Sequence, residues 1–340
     1  METDRVIALY NRLFMGVFGK KKSKDVNGTT AASSSRSFGI SYYISLFLVR
    51  IVACMPFRCL YILSDILYYP LYFIVRYRRK IVRKNLVESF PDKGTDEIIR
   101  LEKKFYHFFV DMTLESCKLA TITPEEIGRR MKFVNVEMVN EMLRNGQSVS
   151  LFLGHYGNWE WISSLGLWLY EGAGVAQIYR KLRNRTMDRI MKEMRERSGS
   201  VCVDMHKTVR FVADAAADGR PYIIGFIADQ SPKRRESRHF IPFLNHMVPV
   251  LTGTEKVTKH FGYKAVFAGM RRVRRGYYEC EFSMLHDDPR ALPDFELTGL
   301  YFRKLESEIL RHPEYYLWTH NRFKYARQAD ERNVSQTNTD

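Results

Sequence analysis

Short apolar runs rich in β-branched and aromatic residues alternate with helix-like stretches through most of the chain after residue 95. The strand-like runs lie at residues 148–153, 175–179, 222–228, 264–270 and 277–284. Helical spacing of apolar residues predicts helices at 96–121 and near 158–170, 185–198, 207–218, 252–262 and 296–311. Strands joined by helices usually pair in parallel. The alternation therefore predicts an α/β fold with a mixed, largely parallel sheet flanked by helices.

Residues 40–77 are the most apolar part of the chain. Two apolar runs, 40–55 and 59–75, are separated at Pro56, and the second carries a single charge, Asp65. A 16-residue helix extends about 24 Å, which is less than the roughly 30 Å hydrocarbon core of a bilayer. Tyrosines are frequent here and favour a membrane interface. The segment is predicted to be a monotopic or barely spanning membrane anchor; the alternative is a helical hairpin buried in a soluble domain.

The flanking segments complete the predicted domain organisation. The basic run 76–84 follows the anchor directly and, by the positive-inside tendency, places the rest of the chain in the cytoplasm. Small polar and basic residues dominate the segment before the anchor and predict disorder there. We divide the chain into a disordered, basic extension (1–39), an anchoring helical segment (40–80), a globular domain (81–328) and a polar tail (329–340).

The net charge and the cysteines restrict the partners and the kinds of site that the chain can have. Lys and Arg number 54 against 38 Asp and Glu, a formal charge of +16 that calls for an anionic partner, such as lipid headgroups, an acidic protein or nucleic acid. The cationic residues flank the apolar segment and the strand ends and do not form one reading surface, so nucleic-acid binding is the weaker alternative. Five cysteines without a C-x-x-C pair argue against a disulfide framework and a zinc site. No metal or cofactor is predicted.

The first candidate site follows the strand-like run 148–153. His155 lies between Gly154 and Gly157, and glycines allow the sharp turn that a strand-end site requires. Glu160 follows five residues later, and its carboxylate could hold one imidazole nitrogen as N–H, leaving the other free to accept a proton. The alternative is structural: His155 caps the turn, and Glu160 stabilises the start of a helix.

Three further blocks contain charged residues, and the first two of them follow predicted strands. Arg180 and Asn184 lie between a strand and a helix, where guanidinium groups and a helix N-terminus favour anions; a solvated basic turn is the alternative. Asp229 and Gln230 end the run 222–228, so a parallel sheet places them at the same edge as His155; capping of the following loop is the alternative. The last block, Tyr-x-Trp-x-His-x-Arg-Phe-Lys near the C-terminus, contains Arg322.

These four blocks, in this order, resemble the lipid A biosynthesis lauroyl/myristoyl acyltransferase family. That family belongs to the lysophospholipid and glycerol-3-phosphate acyltransferases, and the resemblance extends from about residue 40 to 327. It implies a glycerol-3-phosphate acyltransferase-like α/β domain with His155 and Glu160 as the catalytic pair. It also implies substrate binding by Arg180, Asn184, Asp229, Gln230 and Arg322. The chain departs from the usual pattern after Asp229-Gln230, where Ser231-Pro232 follows, and at Asn321.

The resemblance implies transfer of a fatty acyl group from a thioester to a hydroxyl of a lipid A precursor, with His155 as the general base. The sequence contains neither a G-x-S-x-G elbow nor a Cys-His arrangement, so direct transfer without an acyl-enzyme is expected. The expected donor is an acyl carrier protein, with acyl-CoA as the alternative.

The other expected partners are the lipid acceptor and the membrane, at the cytoplasmic face of a bacterial inner membrane. Neither a cofactor nor a nucleic acid is expected. A second hypothesis within the enzyme class is acylation of a lysophospholipid or an amino-acid lipid. A hypothesis from another class is a basic nucleic-acid-binding protein.

Overall fold

A computed structural model describes residues 40–326. The predicted extension (1–39) and tail (329–340) lie outside the described residues. The helices are α1 (Ile40–Cys54), α2 (Phe57–Tyr69, continued by a π-helical turn, Pro70–Val75), α3 (Arg79–Ser89), α4 (Thr95–Cys117), α5 (Pro124–Arg130), α6 (Val136–Arg144), α7 (Arg185–Glu196), α8 (Thr208–Ala217), α9 (Gly253–Phe261) and α10 (Glu296–Arg311). The strands are β1 (Met131–Val134), β2 (Val149–Leu153), β3 (Gly174–Tyr179), β4 (Val201–Asp204), β5 (Tyr222–Ile227), β6 (His239–Phe243), β7 (His246–Val250), β8 (Lys264–Arg274) and β9 (Tyr277–His286).

Seven strands form one sheet in the order β1-β9-β8-β2-β5-β3-β4. Neighbouring strands run parallel, except that β8 and β9 form an antiparallel hairpin. Helices flank this sheet, so the predicted α/β class with a mixed, largely parallel sheet is confirmed. The strands β6 and β7 form a separate antiparallel pair.

All five predicted strands are present, and four other strands escaped prediction. The first two of these, β1 and β4, have only four residues each, too few for a clear alternation. The other two, β6 and β7, contain Pro242 and Pro249, and a proline argues against a central strand. Both lie in a two-stranded hairpin outside the main sheet, where a proline is tolerated.

Helix α2 has one face in the core and one apolar face exposed. On the core side, Ser64 donates a 2.6 Å hydrogen bond to Asp111 of α4, and Tyr72 donates a 2.9 Å bond to Glu102. On the other side, large apolar residues are exposed: Ile62, Ile66, Tyr69, Phe73, Ile74 and Val75. Together with its π-helical extension, α2 is the one helix within residues 40–326 that is long and apolar enough to cross a membrane. The exposed row is not explained by the alternative of a hairpin buried in a soluble domain.

Candidate active site

The register of the sheet brings His155 and Asp229 together. Strands β2 and β5 are parallel neighbours, and Leu153 pairs with Ile227. His155 and Asp229 each lie two residues beyond this pair, and so they emerge side by side at the carboxyl edge of the sheet. Sites in open α/β sheets form at this edge.

The backbone around His155 is fixed by two contacts and one glycine. The Leu317 N–H donates to the His155 carbonyl (3.1 Å), and the Gly157 N–H donates to the carbonyl of Tyr315 (3.0 Å). Gly157 has φ +61°, and an added Cβ would lie 2.2 Å from Met270 Cγ. A side chain is therefore excluded there by conformation and by space. The turn predicted around His155 is present.

The imidazole of His155 is held by the carboxylate of Asp229. The distance between His155 Nδ1 and Asp229 Oδ1 is 2.7 Å, and the backbone N–H of His155 donates to Asp229 Oδ2 at 3.2 Å. Burial raises the pKa of the Asp229 carboxyl, but the interactions with His155 lower it by more, and the net pKa is below its ordinary value. An ionised carboxylate only accepts hydrogen bonds, so His155 Nδ1 carries the proton.

The second ring nitrogen of His155 faces Gln230. The Gln230 amide nitrogen lies 3.2 Å from His155 Nε2 and donates to it. In this arrangement Nδ1 donates to Asp229 and Nε2 accepts from Gln230. A neutral imidazole in this tautomer can accept a proton at Nε2 while Asp229 stabilises the imidazolium that forms.

Glu160 lies in the first turn of the 3₁₀ helix Trp159–Leu167, as predicted, but its carboxylate is hydrogen-bonded to residues other than His155. Arg195 of α7 donates to both of its oxygens at 2.7 and 2.6 Å, and Trp159 donates at 3.2 Å. Burial raises the pKa of Glu160, but the interactions with Arg195, Trp159 and His155 together outweigh it, and the net pKa is below its ordinary value. The structure therefore brings His155 to Asp229, and it brings Glu160 to Arg195.

An apolar cavity of about 260 Å³ opens beside His155. Its walls come from α4, α7 and the sheet: Phe109, Met112, Leu151, Leu153, Val175, Met187, Met191, Ile223 and Ile227. His155, Gln230 and His320 line its polar end, and Glu160 and Arg195 line its wall. A deep apolar cavity with few convergent polar groups suits a ligand with a long apolar part.

The sequence model of the bacterial lipid A biosynthesis acyltransferase family matches residues 29–325 of the 340-residue chain. The chain belongs to this family. The lipid A biosynthesis palmitoleoyltransferase of Escherichia coli (strain K12) is 26% identical over 253 residues, which cover 73% of this chain and 79% of the relative. The lipid A biosynthesis acyltransferase of Shigella flexneri is also 26% identical, over the same shares of both chains. The predicted resemblance is confirmed, and the chain is an acyltransferase.

In this member of the family, a buried carboxylate of α4 supports the segment between His155 and Glu160. Glu115 accepts hydrogen bonds from Asn158 (2.9 Å) and Tyr278 (2.7 Å). Its backbone carbonyl accepts a bond from the Trp161 indole at 2.9 Å. Burial raises the pKa of Glu115. These contacts fix the residues on both sides of Glu160 and so position the whole loop.

The other predicted substrate-binding residues of the acyltransferase occupy three different environments. Arg180 lines the cavity and is exposed at the end of β3. The Asn184 side chain accepts a 3.1 Å bond from the Met187 N–H and caps α7. Arg322 is buried, donates to the Pro249 carbonyl at 3.0 Å and does not line the cavity. Substrate binding by these residues stays a prediction, best supported for Arg180.

His320 lines the cavity beside His155, and the sequence-based assignment omitted it. Its Nε2 accepts a 3.1 Å bond from the Ser231 N–H, and a backbone N–H can only donate. Burial, and then the nearby Arg322 guanidinium, lower the pKa of His320 to about 3. His320 is therefore neutral, with its proton on Nδ1, and it is a hydrogen-bond donor and not a second base. The sequence could have indicated it, because His320 lies in the Tyr-x-Trp-x-His-x-Arg-Phe-Lys block near the C-terminus.

Arg195 was also missed, although the sequence carries a signal for it. Met187, Met191 and Arg195 are spaced four residues apart and so share one face of α7, which lines the acyltransferase cavity. A cation that continues an apolar stripe requires a buried partner. Glu160 is that partner, with 9% of its side chain exposed.

Proposed function

We propose that this acyltransferase moves a fatty acyl group from a thioester to a hydroxyl of a lipid A precursor, with His155 as the general base and Asp229 as the residue that orients it. One observation carries the proposal: an imidazole hydrogen-bonded to a buried carboxylate at the polar end of an apolar cavity. The cavity would hold the acyl chain and leave the thioester carbonyl beside His155.

The proposed reaction is a direct transfer. The acceptor hydroxyl displaces the Gln230 amide and donates its proton to His155 Nε2. The oxygen attacks the thioester carbonyl, the new C–O ester bond forms, and the C–S bond breaks. The imidazolium, stabilised by Asp229, returns the proton to the departing thiolate. We assign Arg180, at the cavity mouth, to stabilising developing negative charge, and Glu160 to holding Arg195 in the cavity wall.

The proposed donor is an acyl carrier protein, whose acidic surface would dock on exposed basic residues. Two basic runs of the sequence, 233–235 and 271–275, are the candidates. In the second, the buried carboxylate of Asp111 holds Arg272 and Arg275. The two exposed arginines of this run have local partners: Arg271 pairs with Glu279, and Arg274 lies over the Tyr277 ring. In the first, Arg234 and Arg235 are exposed, in the loop that follows Gln230. We therefore propose the 233–235 loop as the docking surface.

Reversing Arg234 and Arg235 to glutamate should raise the apparent KM for the acyl carrier protein severalfold and leave kcat at saturation nearly unchanged. Exposed pairs contribute up to about 1 kcal/mol each and are screened over about 8 Å at physiological salt. The wild-type KM for the carrier should therefore also rise with salt. Reversal of Lys103 and Lys104, exposed on α4, is the charge-matched control. A variant that uses the carrier normally but loses affinity for the lipid acceptor would contradict docking here.

We also propose that the exposed apolar faces of α1 and α2 lie in the membrane interface. Exposed side chains of α1 include Ile40 and Phe47, and those of α2 include Ile66 and Ile74. The opposite face of α2 is hydrogen-bonded to α4, so this helix would dip into the bilayer and not cross it as a free span. The basic run 76–84 would then contact anionic headgroups on the cytoplasmic side.

Replacing Ile66 and Ile74 by glutamate should move much of the protein from the membrane to the soluble fraction. These side chains are 60% and 78% exposed, so the change should leave the fold intact. Sedimentation with membranes, after salt or carbonate washing, measures the shift. Glutamates at Val87 and Leu310, which are exposed on α3 and α10, provide the control. Equal retention of all three proteins on the membrane would contradict attachment through this face.

A further inference from the structure

The floor of the cavity lacks a side chain at its centre. Three parallel strands, β2, β5 and β3, form this floor, and the register aligns their residues in rows. In the middle row, Leu151 and Gln177 flank Gly225, and all three line the cavity. The rows on either side carry Ile227, towards His155, and Ile223, deeper in the cavity.

The backbone does not require a glycine at position 225. Its φ is not in the left-handed region, and it pairs in register with both neighbouring strands. An added Cβ would meet only ordinary contacts, at 3.7 Å from Leu153 Cδ2, 3.8 Å from the Ala176 carbonyl and 4.0 Å from Gln177 Cβ. A glycine within a strand is destabilising, and it often marks a place where a ligand approaches closely.

The opposite face of β5 shows that the strand itself is firmly packed. Ile224 and Phe226 are buried in a second apolar cluster with Val212 and Val257. Only the face towards the cavity is open at Gly225. The missing side chain therefore serves the cavity and not the packing of the sheet.

We propose that Gly225 determines the length of acyl chain that the enzyme accepts. This inference rests on the proposed function, in which the acyl chain enters past His155. Gly225 lies four residues before Asp229, which corresponds to roughly 13 Å along an extended strand. A chain long enough to pass this point would cross the glycine and reach Ile223 and Val175. A larger side chain at 225 would close the inner part of the cavity and leave the part nearest His155 open.

The test is a series of variants assayed with acyl donors of 10, 12, 14 and 16 carbons. Gly225→Val and Gly225→Leu should lower the ratio of kcat/KM for the 16-carbon donor to that for the 12-carbon donor by about 10–100-fold, because apolar pockets discriminate on this scale. Gly225→Ala should change the ratio less, because its Cβ fits. Gly253→Val, at an open position at the start of α9, should leave it unchanged.

A ratio that stays constant in a folded Gly225→Val variant, or equal losses with every donor, would overturn the inference. Binding of saturated fatty acids, followed by the fluorescence of Trp159 in the cavity, separates this failure from failure of the proposed function. Wild-type protein without transferase activity towards a lipid A precursor would refute the function. Even in that case, we would expect Gly225→Leu to weaken binding of the 16-carbon acid by at least tenfold and to leave binding of the 10-carbon acid unchanged.

Discussion

Replacing His155 by alanine should lower kcat for acyl transfer by about 10²–10⁴-fold, the range attributed to a general base. A neighbouring histidine cannot substitute for it. His320 has a pKa of about 3 and accepts a backbone hydrogen bond at Nε2, so it neither takes up a proton at neutral pH nor offers a free lone pair. Initial rates with saturating donor and acceptor measure the loss.

The fold should survive this substitution. The His155 side chain is 16% exposed at a strand-end turn, and its ring contacts Trp159 at 5.2 Å between centroids. Because the substitution also leaves the buried Asp229 carboxylate without its imidazole partner, the thermal unfolding midpoint is measured beside the kinetics, and turnover is compared on folded protein. Alanine in place of His260, which is exposed on α9, removes the same group elsewhere and should leave activity unchanged. Turnover within a few-fold of wild type in His155→Ala would rule out the base.

Replacing Asp229 by asparagine should cause a second large loss, of roughly 10²–10⁴-fold in kcat, with little change in KM. Asparagine keeps the shape, but its amide can donate to Nδ1 and so favour the tautomer with the proton on Nε2. The equivalent exchange in a serine protease triad lowers kcat by about 10⁴-fold for this reason. Asp229 is buried at 1% exposure, so unfolding of the variant must be measured beside its kinetics.

Glu160→Gln distinguishes the two carboxylates. Its partner is Arg195, so the geometry predicts a lower unfolding temperature and a smaller loss of kcat than in Asp229→Asn. The sequence predicted instead that Glu160 orients His155, in which case turnover would fall steeply and substrate binding less. A loss of kcat that is larger for Glu160→Gln than for Asp229→Asn would support that pairing and contradict ours.

The position of the candidate site could be predicted from the sequence, whereas the carboxylate that contacts its histidine could not. His155 and Asp229 both follow apolar runs, and a parallel sheet places such ends at one edge. Asp229 contacts the imidazole because β2 and β5 are neighbours in the sheet, in a register that aligns their ends. In the chain, β3 and β4 lie between these two strands. Spacing along the sequence favours Glu160, because it does not include strand order.

Ion pairs that form only in the folded protein also determine which basic side chains can bind a partner. The run 271–275 has four arginines and appears as an exposed basic patch in the sequence. In the fold, Arg275 pairs with Asp65 of α2, and Arg272 pairs with Asp111 of α4. These partners lie more than 160 residues away in the chain. Long-range ion pairs of this kind leave no periodic signal, whereas the apolar period that predicted the helices is local.

The most direct test of the account is the mass of the lipid that the purified protein makes. A lipid A precursor with a free hydroxyl on an acyl chain is incubated with an acyl carrier protein thioester, beside parallel reactions with a lysophospholipid. We expect the precursor to gain one ester-linked acyl chain with wild-type protein and none with His155→Ala. Acylation of the lysophospholipid alone, or equal acylation of the precursor by both proteins, would contradict it.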